Sequence, residues 1–171
     1  MNKNQEYIDC AKHWHGEQKR KYTGEPYFNH LENVAKIVER WGYPELMPVA
    51  YLHDIVEDTY FTAEEVSERF NAYIARDVWY LTDVPLFTGN RAHRNKLNNL
   101  RLSQAPESAL IVKYADMIDN MKDIAEHDKK FATVYLEEIR VRFDMTKKMV
   151  PDICIKEFTD TFWKSIEGLR K

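Results

Sequence analysis

A chain of 171 residues fits one domain, large enough to bury about 70% of the surface that its unfolded form exposes and to hold a core without covalent staples. With 25 basic against 28 acidic residues, its formal net charge of -3 gives no global basic field of the kind that nucleic-acid-binding domains carry. Cys10 and Cys154 lie far apart and outside any CxxC pattern, which argues against a disulfide framework or a zinc ribbon.

The N-terminus, Met1 to Gln5, has no apolar signal core, and no run of about 18 apolar residues is present to span a membrane. The expectation is a soluble cytoplasmic protein. Only 5 Gly and 6 Pro interrupt apolar positions that recur every three or four residues, so the chain reads as all-α with no hairpin signal. A first helix is expected from Asn4 to His15, with Tyr7, Ile8, Ala11 and Trp14 on one stripe. His13 and His15 near its end suit the helix dipole. Lys19 to Tyr27 is a loop broken by Gly24 and Pro26. Its Arg20 and Lys21 offer a planar fork and a point charge, the chemistry of a phosphate and base clamp; the alternative is a solvated basic turn. The next helix runs from Phe28 to Trp41, with Leu31, Val34, Ala35, Ile37 and Val38 facing inward and Gly42 as its C-terminal glycine. His30 falls in its first turn.

The most informative stretch is Leu52-His53-Asp54-Ile55-Val56-Glu57-Asp58. If Val49 to Asp58 is one helix, His53 and Glu57 lie one turn apart, as do Asp54 and Asp58, and adjacent His and Asp can converge on one cation. It reads as a metal site; a polar helix end is the bland alternative. Thr62-Ala63-Glu64-Glu65 is a capping box that opens a helix through Phe70. Another helix covers Ala72 to Leu81, with Ile74, Val78, Trp79 and Leu81 expected in the core. Asp83 to Asn90 is an aperiodic loop leading into a basic helix with Arg91, His93, Arg94 and Lys96, either a solvated face or cations that close over a polyphosphate. Pro106 and Ser108 start a helix through Ile111, Val112, Ala115 and Ile118, in which Asp116, Asn120 and Asp123 share one stripe. A buried carboxylate there needs pairing or a metal. Two more helices follow, Phe131 to Met149 and Pro151 to Leu169, with Phe143, Phe158, Phe162 and Trp163 as packing residues.

Taken in order, a histidine after a basic glycine-containing loop, then His-Asp followed by Glu-Asp, then Asp followed by Asn, these motifs resemble the HD superfamily of metal-dependent phosphohydrolases. The similarity is greatest to the hydrolase domain of RelA/SpoT-type alarmone enzymes and their small stand-alone relatives of the metazoan SpoT homologue type, from about Ala11 to Ile124. The resemblance implies a single HD-type helical bundle over residues 1-171 with a metal site at its centre, and no room for a synthetase. It implies His30, His53, Asp54 and Asp116 as ligands of one divalent cation, Mn2+ in the resembled enzymes. Nucleotide contacts would come from Arg20, Lys21 and Asn120, and second-sphere catalysis from Glu57 and Asp58. Two departures stand out: Leu31 replaces a usual proline, and Asp119 replaces a usual aromatic residue or histidine. Two imidazoles with two carboxylates suit a first-row divalent cation with positions open to water and phosphate. The expected reaction is removal of the 3′-pyrophosphate from ppGpp or pppGpp, a small-molecule nucleotide and not a nucleic acid. The alternatives are an HD phosphatase acting on the 2′-phosphate of NADPH or on a nucleoside monophosphate, and a non-catalytic nucleotide-binding regulator.

Overall fold

Residues 3-170 of the computed structural model are described, and their regular elements are helices. Helix α1 (Gln5–His15) leads into a loop that folds back on itself: Lys19 and Pro26 form an isolated antiparallel bridge, the Arg20 N–H bonds the Glu25 carbonyl, and the Tyr27 N–H bonds that of Gln18, both at 2.8 Å. Gly24 turns this loop at φ 70°, a conformation that favours glycine. The sequence shows no hairpin signal because this pairing is a single bridge with no alternating strand on either side.

Helix α2 (Phe28–Arg40) buries Leu31, Val34, Ala35, Ile37 and Val38 as the pattern requires. The expected central helix is interrupted: α3 (Met47–Leu52) ends before His53, and α4 (Ile55–Asp58) begins after Asp54. Asp54 adopts φ -100° and ψ 0°, which loosens the helical ladder where the two ligand-type residues sit while leaving the chain in the right-handed helical region. Thr62 and Glu65 complete the capping box of α5 (Ala63–Arg69), and Asn71 caps α6 (Ala72–Leu81) with its side chain. Asn90 and Asp128 do the same for α7 (Arg91–Leu102) and α9 (Lys129–Thr146).

Helix α8 (Glu107–His127) is the organising rod, 21 residues long and packed against α2, α9 and α10 (Asp152–Leu169). It buries Leu110, Met117 and Ile118 in the same core cluster as Leu31, Leu52 and Ile55, and its Tyr114 packs on Phe158 of α10 at 5.5 Å between ring centroids. Cys10 and Cys154 are free and buried, as expected of small apolar residues. Two tryptophans depart from the expected core: Trp79 is 48% and Trp163 56% exposed. Trp79 is covered instead by the Arg101 guanidinium, 4.7 Å from its ring centre. Among the described residues no helix is long and apolar enough to cross a membrane.

Candidate metal centre and its cavity

Four side chains from three parts of the chain meet in the middle of this bundle. His30 comes from the first turn of α2, His53 and Asp54 from the break between α3 and α4, and Asp116 from the middle of α8. Ligand atoms of His30, His53 and Asp116 all lie within 4.8 Å of one another. Asp54 Oδ2 is 3.1 Å from His53 Nε2 and 3.6 Å from His30 Nε2, so it faces the same point.

The histidines are set up to present their Nε2 atoms. The Nδ1 of His53 lies 2.7 Å from the Ala50 carbonyl, which only accepts, so the ring proton sits on Nδ1. His30 Nδ1 lies 2.7 Å from Asp119 Oδ2 and donates to it. Both Nε2 atoms are left buried without a hydrogen-bond partner among the described residues, an arrangement that costs stability unless a further ligand faces them. Two orphaned imidazole nitrogens with carboxylate oxygens at 3.1 to 3.8 Å fit a divalent cation. Without one, the charges compensate each other. Burial pushes His53 down, but Asp54 and Asp116 together hold it well above the usual imidazole range. Burial likewise pushes Asp116 up, and the Lys113 ammonium with both imidazoles holds it well below the carboxylate range.

A ring of donors fixes the carboxylates. The Tyr27 hydroxyl donates to Asp54 Oδ2 at 2.5 Å, Lys113 Nζ to Asp116 Oδ2 at 2.7 Å, and Asn120 Nδ2 to Asp116 Oδ1 at 2.5 Å. Asn120, expected to touch substrate, is brought to the site and braces Asp116. Glu57 lines a cavity together with Asp54 and Asp116 and accepts a hydrogen bond from the Asp83 N–H at 2.9 Å. Withdrawal from water, then the charges of Asp54 and Asp83, raise its carboxyl to about 7, although solvent reaches its exposed side and screens part of that effect. Asp58 sits outside the cavity lining, raised first by burial and then by Asp54; Gln18 donates to its Oδ2 at 2.9 Å and also bonds His15 Nδ1 at 2.7 Å. His15, which sequence alone places at a helix end, is buried and stacked on Tyr27.

Arg20 and Lys21 diverge. Arg20 is 9% exposed; its Nη1 contacts Asp119 at 2.6 Å and its Nη2 contacts Asp123 at 3.0 Å. Lys21 is exposed, with Nζ above the Tyr22 and Phe131 rings. Asp119 is the residue whose role sequence reasoning missed. It joins Arg20 to His30 through Oδ2 and takes Asn33 Nδ2 at 3.0 Å on Oδ1, a carboxylate that orients a ligand-type imidazole from behind. Asp123, expected to point at the centre with Asp116, pairs with Arg20 instead. The cavity has a volume of about 190 Å³ and is also lined by Arg91, Tyr135 and Arg142. A larger apolar groove of about 830 Å³ between α7 and α9 adjoins this cavity through Asn95 and Glu138 and contains none of the four ligand-type residues.

Comparison with known proteins agrees with this geometry. Residues 8–141 match a family model described as HD domain. The chain is 37% identical over 139 residues to a guanosine-3′,5′-bis(diphosphate) 3′-pyrophosphohydrolase of Aquifex aeolicus, covering 78% of this chain and 20% of that protein. It thus spans about a fifth of that relative's length. It is 36% identical over 126 residues to the guanosine-3′,5′-bis(diphosphate) 3′-pyrophosphohydrolase MESH1 of Homo sapiens, covering 70% of this chain and 68% of that one. The solved structure of a metazoan orthologue of SpoT, described as hydrolysing ppGpp, superposes with a TM-score of 0.85 over 96% of both chains at 23% identity, which establishes the shared fold. With its family model covering most of the sequence and its helices arranged as in that structure, the chain belongs to the HD domain family.

Proposed function

We propose that this protein is a metal-dependent phosphohydrolase that removes the 3′-pyrophosphate of ppGpp or pppGpp, residues 1-171 acting as one cytoplasmic domain. The observation that carries the proposal is the pair of buried Nε2 atoms of His30 and His53, unpartnered and facing Asp54 and Asp116. The names of the relatives supply the substrate. His30, His53, Asp54 and Asp116 would hold one divalent cation, Mn2+ by resemblance. When bound, such a cation supplies Lewis acidity toward a phosphoryl oxygen and lowers the pKa of water.

The chain's own residues do the rest. Glu57, raised toward neutrality, is suited to accept the proton of the attacking water, since a base works best with a pKa near the working pH. Asp58, held by Gln18 outside the cavity lining, is assigned a second-sphere role one turn beyond Asp54. Tyr27, Lys113 and Asn120 keep Asp54 and Asp116 aimed inward. Arg91 also lines the cavity, its guanidinium already paired with Glu138. Lys21, exposed and bonded to the Tyr22 hydroxyl, is the loop's cation for the nucleotide, and Asn120 lines the cavity where it can also reach the substrate.

One observation favours a second reading. Asp119 and Asp123 engage Arg20 from both sides, which removes most of the free fork that the resembled nucleotide clamp offers. That favours another phosphorylated nucleotide, such as NADPH or a nucleoside monophosphate, acted on by the same centre. A manganese-dependent hydrolysis screen over ppGpp, pppGpp, ppApp, NADPH and nucleoside monophosphates, with products identified by mass, tests both. Release of pyrophosphate from ppGpp supports the first reading, and release of orthophosphate from a monophosphate substrate alone supports the second.

A further inference from the structure

Arg142, two turns beyond Tyr135 on α9, is a buried guanidinium that no carboxylate among the described residues pairs with. It is 8% exposed, and its one side-chain hydrogen bond runs from Nε to Asn99 Oδ1 at 3.0 Å. Among the described residues neither Nη group makes a hydrogen bond or ion pair, and neither is sealed in the way the imidazole Nε2 atoms are. The side chain lines the cavity that holds Asp54, Glu57 and Asp116.

The cations around it are matched. Lys113 pairs with Asp116 and Arg91 with Glu138, the other two cations of the cavity wall. Arg142 is left with the neutral Asn99, itself buried, which fixes the plane of the guanidinium by its Nε and leaves the two-pronged end open. A buried charge is retained at a cost unless something pairs with it, and a planar fork of N–H donors matches two oxygens of a phosphate. Sequence pattern gives no hint of this, because Arg142 sits amid the charged residues of an ordinary amphipathic helix.

We propose that Arg142 is an anion subsite in the wall of the cavity, and that its ligand is a phosphate group, in the proposed reaction the pyrophosphate that leaves from the substrate. This rests on the hydrolase reading above and adds a residue that holds the leaving phosphate group.

Inorganic pyrophosphate is the probe, titrated by calorimetry into Mn2+-loaded wild type, Arg142→Gln and Arg142→Lys, with Mn2+ affinity and melting temperature measured on each and inorganic phosphate and GDP as comparison ligands. The expected result is that Arg142→Gln weakens pyrophosphate binding by about 10- to 150-fold, the worth of a charge-assisted contact, with Mn2+ affinity unchanged and GDP little affected. Arg142→Lys, which keeps a charge and loses the fork, falls between the two and decides the matter if the glutamine variant does not fold. Pyrophosphate bound equally by wild type and by whichever variant folds would overturn the inference and make Arg142 a brace for Asn99. A wild-type protein that hydrolyses ppGpp yet binds no pyrophosphate would overturn it too, leaving the hydrolase reading intact. Absence of metal-dependent hydrolysis in the wild type defeats that reading instead, and the pyrophosphate titration then decides the role of Arg142 by itself.

Discussion

Replacing Asp119 tests whether the site is built from behind as well as from in front. Its Oδ2 accepts from His30 Nδ1 at 2.7 Å and from Arg20 Nη1 at 2.6 Å, while Oδ1 accepts from Asn33 at 3.0 Å. Asp119→Ala leaves a buried guanidinium facing Asp123 alone and a His30 N–H with no acceptor. Breaking a buried pair costs about 3–5 kcal/mol, and in a domain of this size that lowers the melting temperature by roughly 6–20 °C. Asp119→Asn is gentler: its carbonyl can replace Oδ2, but its amide then faces the Asn33 amide, and the negative charge that strengthens the imidazole as a donor is gone. Loss of an outer partner of a metal-bound histidine typically weakens the metal by 10–100-fold, about 1.4–2.7 kcal/mol. Isothermal titration of Mn2+ into the metal-free asparagine variant, folded by circular dichroism, measures this directly. Affinity within twofold of wild type would refute the positioning role.

Glu57→Gln should keep metal and nucleotide affinity while turnover falls by about 10²–10⁴-fold, and Asp58→Asn should lose a comparable factor if the two act on one water; near wild-type turnover by both, on metal-loaded protein, would reduce them to helix-end acids. Because Asp54 and Asp116 raise His53, and Asp116 and Asp119 raise His30, protons compete with metal near neutrality. Mn2+ affinity should therefore climb as pH rises above the ordinary imidazole range, with proton release visible in buffers of different ionisation enthalpy. By the same sign, the ion pairs stabilise the metal-free fold below the ordinary imidazole pKa and fade as pH rises through the raised values; a melting temperature in chelator that climbs over that range would contradict this. Arg20→Ala should weaken nucleotide binding by about 10–150-fold if its remaining N–H groups touch phosphate, and an unchanged dissociation constant would confine Arg20 to bracing Asp119.

The features legible in the sequence are those that depend on neighbours in the chain. The capping box of Thr62 and Glu65, the inward stripe of α2 and the lysine-to-asparagine run of α8 follow from helical spacing, and they place His30 and Asp116 on rigid elements. The adjacency of His53 and Asp54 points to a metal, while the helix break between them does not show, because both residues stay near helical dihedrals. Asp119 and Arg20 are 99 positions apart, and nothing local in either segment announces that one holds the other. Spacing alone also sends Asp123 to the centre with Asp116, whereas the loop that brings Arg20 across α8 captures it. Trp79 and Trp163 read as core by size and are half exposed, since a helix face beside the core still satisfies the apolar period.

The most direct test of the central claim is to incubate purified protein, stripped of metal and reloaded with Mn2+, with ppGpp and identify the products by mass. GDP and pyrophosphate are expected in equal amounts, with formation that stops with chelator and none from His53→Ala. Full metal loading on folded protein with no turnover of ppGpp, or guanosine products formed with orthophosphate instead of pyrophosphate, would contradict it.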